Sequence, residues 1–130
     1  MGQAGLSACV MATVVNIHHK AKFDVGIVRG TDWGNPYMVD RDGDRAQVVG
    51  KYEVRLRKRL KTKDTVSRNL FDKLRDLNGC VLGCYCKPLL CHGDVLVYYS
   101  AWAATNEYGA KLPPKKFQPL LESRVGLWKK

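Results

Sequence analysis

The stretch that most restricts the fold is NGCVLGCYCKPLLCHGDVLVYYSAWAA, residues 78–104, where an apolar run turns at Lys87-Pro88 into helical periodicity. Cys80 to Cys86 is too short and too apolar for a strand at a wet edge and needs cover from the rest of the chain. In an extended backbone Cys80, Leu82, Cys84 and Cys86 share one face, and Val81, Gly83 and Tyr85 the other. After the turn a helix is expected from near Cys91, with Val95, Leu96, Tyr99, Trp102 and Ala103 as its buried stripe. A buried strand feeding a helix is the building unit of an α/β layer fold.

The upstream chain supplies the partners. TVVNI (13–17) and DVGIV (24–28) are short β-branched runs separated by a polar stretch with His18-His19-Lys20, and read as two strands. A glycine- and aspartate-rich loop follows, RGTDWGNPYMVDRDGD (29–44), in which Pro36 drives Asn35 toward an extended conformation. Asp44 and Gln47 have the spacing of a capping box. Val48, Val49, Tyr52, Leu56 and Leu60 then recur on one helical face, with Arg55, Arg57, Lys58, Arg59 and Lys61 on the remainder. A second helix is expected over 66–77, with Leu70, Phe71, Leu74 and Leu77 inward and Asn78-Gly79 as its stop.

The order strand, strand, helix, helix, strand, helix predicts a single α/β domain, a small Rossmann-like layered sheet with flanking helices. Two helices between strands leave room for a right-handed crossover, so the 80–86 strand is expected to run parallel to an earlier one. A chain of 130 residues suits one core. The expected organisation is a leader over 1–12, an α/β domain over 13–108 and a basic extension over 109–130. That extension carries Pro113, Pro114 and Pro119, with a short helix expected at 117–124.

The net charge of +10 is unevenly spread. Residues 51–75 carry ten basic and three acidic groups and residues 109–130 six basic and one acidic, while 76–108, with the cysteine cluster, is slightly acidic. A concentrated basic patch attracts polyanions such as nucleic acid, although the same charges also make a plain solvated helix face. No apolar run approaches the roughly 20 residues that cross a bilayer, so no membrane association is expected. The first residues lack a basic segment followed by a long apolar core, so a secretory signal is not expected either. Five cysteines, an odd number, fit reduced thiols in a cytoplasmic setting better than a disulfide framework.

Two clusters carry candidate chemistry. In α/β sheets ligands sit beyond the carboxyl ends of strands, where helix N-termini point. His92, Gly93 and Asp94 would fall in such a first turn. His92 could carry a proton near neutral pH, Gly93 would permit close backbone approach, and Asp94 could act as a base or simply stabilise the helix. RGTDWGNP (29–36) leaves the same end of the 24–28 strand. There Arg29 could clamp phosphate or carboxylate, Trp33 could stack on a base and Asn35 could read polar edges, with Gly30 in the turn. The competing reading is a structural bend with Trp33 over the core.

The cysteines leave three readings open. Cys84, Cys86, Cys91 and His92 offer thiolate and imidazole ligands for zinc. Against it, C-x-C in a regular strand sets the side chains about 6.5–7 Å apart, whereas tetrahedral zinc holds its sulfurs about 3.8 Å apart. The strand would have to break at Tyr85. Otherwise these are buried free thiols, or Cys91 is a reactive cysteine with its pKa lowered by a helix N-terminus.

Together VVNIHH, VGIVRGTDWGNPY and LNGCVLGCYCKPLLCHGDVL resemble a family of small uncharacterised domains met in bacteriophage, bacterial and archaeal genomes. The shared pieces fall on Arg29-Gly30, Trp33-Gly34-Asn35-Pro36, Gly83 to Cys86, Pro88 and Cys91 to Asp94, with Tyr85 where tryptophan is common. The resemblance covers about residues 13–100 and implies a domain of unknown function in a phage or prokaryotic cytoplasm. It names neither a reaction nor a cofactor.

The leading expectation is a small domain, enzyme or binder, for a nucleotide-like or phosphorylated molecule. Arg29, Gly30, Trp33, Asn35 and Gly93 would line its site, with His92 or Asp94 as proton carrier. Transfer or hydrolysis at a nucleoside or phosphate group is the reaction class implied. The alternative is a nucleic-acid-binding module, zinc-stabilised or not, using Arg55, Arg57, Lys58, Arg59 and Lys61 with the basic tail. A third is a surface that binds a host protein.

Overall fold

The computed structural model describes residues 11–19, 22–87 and 89–117. The leader up to residue 10, Pro88 and most of the expected 117–124 helix lie outside the described residues. Within them, three strands, β1 (Thr13–Asn16), β2 (Val25–Gly26) and β3 (Val81–Cys84), form one sheet in the order β1-β3-β2. Both pairings of β3 are parallel, with Thr13 opposite Val81 and Val25 opposite Leu82. The apolar run at 80–86 is therefore the central strand, which explains why it needs no polar face. It is shorter than the sequence pattern suggests, because the chain bends at Tyr85.

Three α-helices accompany the sheet: α1 (Arg45–Lys61), α2 (Thr65–Asp76) and α3 (His92–Ala104). The capping box of α1 is formed in both directions, Gln47 N–H donating to Asp44 Oδ1 at 2.8 Å and Asp44 N–H to Gln47 Oε1 at 2.9 Å. Asp64 caps α2 through the Ser67 N–H, and Cys91 caps α3 with its sulfur. One hydrophobic cluster joins Leu56 and Leu60 of α1, Leu70, Phe71 and Leu74 of α2, and Val95, Leu96 and Tyr99 of α3 to Leu82 and Cys84 of β3. At about 25 cal/mol per Å2, burying each such aliphatic side chain contributes about 1.5–3 kcal/mol, so the central strand and its helices hold one another in place.

The alternation of β3 turns Gly83 to the other face, where a side chain would collide with the Phe23 ring at 2.7 Å. Phe23 and Ile17 thus cover that face where glycine leaves room. Ala12 is buried with the core, and residues 111–117 run back over α1 and α3, Leu112 and Phe117 packing against the same cluster. Among the described residues no helix is long and apolar enough to cross a membrane.

Candidate functional site

β2 and β3 run in parallel and end on the same rim of the sheet. Beyond that rim lies a cavity of about 220 Å3. The chain leaving β2 gives it Val28, Arg29, Asn35, Tyr37 and Val39, and the first turns of α1 give Arg45, Val48 and Val49. The corner between β3 and α3 completes it with Cys84, Tyr85, Cys86, Leu90, Cys91 and His92. The two chemically rich segments, some 60 positions apart in sequence, meet in one place.

The cavity has a single sign of charge. Among the described residues Arg29 and Arg45 line it and no carboxylate does. Arg29 Nη1 donates to the Asn35 carbonyl at 3.3 Å and Arg45 Nη1 to the Leu90 carbonyl at 3.2 Å. Each contact steadies a loop while most of the five guanidinium N–H donors stay available. Asn35 Oδ1 accepts from Tyr37 N–H at 2.9 Å, a side-chain turn that holds Tyr37 at the cavity wall. Gly34 lets the loop fold tightly, since a Cβ there would sit 2.7 Å from the Val28 carbonyl oxygen.

Trp33 belongs to the core instead. It is only 6% exposed, its carbonyl accepts from the buried Tyr52 hydroxyl at 2.8 Å, and its exposed edge faces a different groove beside Arg59 and Lys73. Stacking on a ligand in the Arg29 cavity is closed to it. Gly30 is exposed with φ of 93° and serves the turn without lining the cavity.

His92 lines the cavity from the first turn of α3 and is nearly buried. Its Nε2 lies 2.6 Å from the Ile27 carbonyl oxygen. A carbonyl only accepts, so Nε2 carries the hydrogen. Burial, with the Arg29 charge adding to it, holds the imidazole pKa below its ordinary value against the opposing pull of that hydrogen bond and of Asp94. The ring is thus neutral at physiological pH, with Nδ1 as its acceptor atom.

Gly93 and Asp94 have structural duties. A Cβ on Gly93 would lie 2.9 Å from both Ile27 Cδ1 and Val14 Cγ2, so glycine lets α3 press against β1 and the end of β2. Asp94 spends both oxygens, accepting from Lys87 Nζ at 2.7 Å and from Cys91 N–H at 3.1 Å, and it borders a separate hollow with Tyr98 and Phe117. It closes the cap of α3 and does not line the cavity.

Cys84, at the end of β3, and Cys91, at the cap of α3, are buried with their sulfurs 3.5 Å apart. Cys86 joins them because the strand breaks at Tyr85, so all three Sγ atoms lie within 4.8 Å of one another. Asn16 holds that bend, its Nδ2 donating to the Lys87 carbonyl at 2.6 Å and more distantly to that of Tyr85. The expectation of a low-pKa Cys91 fails: the Gly93 N–H at the helix end does bond the sulfur, but burial and the neighbouring Cys84 push the thiol up to about 12. Without a metal Cys91 therefore carries a thiol, not a thiolate.

On α1, Arg55, Lys58 and Lys61 are exposed as a basic surface requires. Arg57 turns inward, where its guanidinium bonds the Tyr99 hydroxyl and the Pro113 carbonyl. Arg59 is partly covered beside Trp33. The residues that sequence reasoning overlooked are Arg45 and Tyr37 in the cavity, Asn16 behind the bend and Glu53 in the core. Arg45 had a signal, its place in the first turn of a helix that starts right after the Asn35 loop.

A family model described as a domain of unknown function (DUF4326) matches residues 15–102. The chain belongs to this family. The DUF4326 match runs from within β1 to within α3 and contains every residue that lines the cavity. An uncharacterized 12.4 kDa protein in the nrdA-td intergenic region of Enterobacteria phage T4 is 36% identical over 88 residues, 68% of this chain and 76% of that protein. No solved structure matches the chain.

Proposed function

We propose that this DUF4326 domain binds a small anionic molecule of nucleotide-like or phosphorylated character in the cavity at the strand ends, in the manner of Rossmann-like domains. The observation that carries the reading is the cavity's lining among the described residues, two guanidinium groups and no carboxylate. Planar guanidinium groups suit phosphate oxygens, and inside a partly enclosed site their charge is poorly screened. Val28, Val39, Val48 and Leu90, with the rings of Tyr37 and Tyr85, offer apolar wall for a base or sugar. For an enzyme, transfer or hydrolysis at a nucleoside or phosphate group is the matching chemistry. Arg29 and Arg45 would hold the anion and His92 Nδ1 would take up a proton; Asp94 is no longer the candidate. A reducing cytoplasmic compartment suits the free thiols.

A second reading is favoured by one observation, the exposure of Arg55, Lys58 and Lys61 along α1, which suits a nucleic-acid backbone. Thermal-shift and calorimetric titration of nucleoside mono-, di- and triphosphates and inorganic phosphate separates the two. Binding that Arg29→Ala abolishes and Lys58→Ala leaves intact supports the cavity. Indifference of the wild type to every one of these anions, with oligonucleotide binding that collapses in salt and on Lys58→Ala, overturns it in favour of the α1 surface.

A further inference from the structure

We propose that Cys84, Cys86 and Cys91 form a metal site of the zinc class, with three thiolate ligands and a fourth position that opens into the cavity. The inference goes beyond the proposed ligand and holds whichever anion the arginines recognise.

Three separate pieces of chain supply the sulfurs: the end of β3, the bend after it and the cap of α3. Their sulfurs lie within 4.8 Å of one another, the Cys84–Cys91 pair at 3.5 Å. Zinc–sulfur bonds near 2.3 Å need sulfurs about 3.8 Å apart, so shifts of about 1 Å or less complete the set. The obstacle that a C-x-C pair poses in a regular strand is removed by the break at Tyr85, which Asn16 ties down from β1.

The surroundings suit thiolate charge. Cys86 N–H points at Cys84 Sγ at 3.4 Å and Gly93 N–H at Cys91 Sγ at 3.3 Å, and such donors orient and stabilise metal-bound sulfur. The positive end of α3 adds to them, while the Lys87 ammonium is shared with the Asp94 carboxylate 2.7 Å away. Soft sulfur donors select zinc-like ions over magnesium or calcium. On binding, each S–H proton passes to solvent as a metal–sulfur bond forms.

His92 stays outside the set: its Nε2 is held on the Ile27 carbonyl, and among the described residues only the three cysteines bring their ligand atoms within 4.8 Å of one another. All three cysteines line the cavity that Arg29 and Arg45 also line, so the fourth position faces it and takes water or a donor atom of the bound molecule. Three protein ligands with an open position is the arrangement of reactive rather than purely structural zinc.

The test uses the full chain purified under reducing conditions without chelator or added zinc. Equimolar zinc by elemental analysis is expected, and after stripping, cobalt(II) should give a thiolate-to-metal charge-transfer band. Imidazole should then shift the cobalt d–d bands by entering the open position. Cys86→Ser, at a partly exposed position where folding is least at risk, should weaken cobalt binding by about a hundredfold or more, since losing even an outer-shell partner costs 10–100-fold. Cys80→Ser, at the opposite end of β3 with its thiol on the Asp76 carbonyl, should leave binding unchanged. Absence of both zinc and the charge-transfer band, or equal affinity in Cys86→Ser and wild type, overturns the site. A Cys84–Cys91 disulfide that persists in place of metal overturns it too. Bands that imidazole leaves unmoved overturn the open position. None of these readouts depends on nucleotide binding, so failure of the proposed function leaves a distinct signature.

Discussion

Glu53 is fully buried in the middle of a helix otherwise crowded with basic residues, and removing its carboxylate should be among the most damaging changes to stability. It accepts from the Tyr99 hydroxyl at 2.6 Å, from Lys116 N–H at 2.7 Å and from Phe117 N–H at 2.9 Å, while Arg57 bonds the same Tyr99 hydroxyl from the other side. Glu53→Ala would strand three donors and open a void. At about 1.5–3 kcal/mol for each hydrogen bond to a charged group, less what relaxation and water recover, the loss should reach about 4 kcal/mol. Glu53→Gln is gentler. Its carbonyl can keep Tyr99 and Lys116, but the NH2 then faces the Phe117 N–H, so one bond is lost and two weaken to neutral strength, costing about 2 kcal/mol. Urea unfolding followed by tryptophan fluorescence measures both, and with a slope of about 2 kcal/mol/M the midpoints should fall by about 2 M and 1 M. A drop of under about 1 kcal/mol for Glu53→Ala would refute the idea that this carboxylate fastens residues 113–117 to the domain.

Two other changes test local arguments. Gly93→Ala should destabilise by about 1–3 kcal/mol, because overpacking against Ile27 and Val14 outweighs the better helix propensity of alanine. A more stable Gly93→Ala protein in thermal melts would show that the contact relaxes freely. Asp64 caps α2, and the Ser67 N–H, foremost among its neighbours, holds its carboxyl pKa below the ordinary 3.8. A lowered native pKa means that the cap contributes fully above that value and that its contribution drains away as pH falls through the native one. The stability gap between wild type and Asp64→Asn should accordingly shrink on acidification in a pH series of melts, and a constant gap would contradict the assignment.

The elements that local pattern dictates were legible in the sequence. The Asp44–Gln47 box, the apolar faces of α1 and α2 and the helix start at Cys91 depend on residues within one or two turns of each other. That the 80–86 strand lies away from the sheet edge followed from its lack of a polar face, and its parallel pairing from the two helices before it. What escaped notice is set by distant partners. The break at Tyr85 is made by Asn16, roughly 70 positions away, so a strand extended through Cys86 was the natural local reading. Glu53, between Lys51 and Arg55, looks like one more surface charge until the returning chain at 116–117 buries it.

The candidate site divides the same way. That the Arg29 loop and the Cys91 corner share a rim came from strand direction alone. Which side chains face the cavity did not. Trp33 has an aromatic ring and Asp94 a carboxylate, both as useful to a core or a cap as to a ligand, and packing decides between those uses. His92 has a foot in each role, anchored on Ile27 yet lining the space.

Amide-resolved NMR titration of the isotope-labelled chain with a nucleoside monophosphate, repeated with inorganic phosphate, tests the shared cavity most directly. Shift changes concentrated in residues 28–37, 45–49, 84–86 and 91–93 are expected. Changes confined to the exposed face of α1 around Arg55 and Lys58, or spectra that never move, would contradict it.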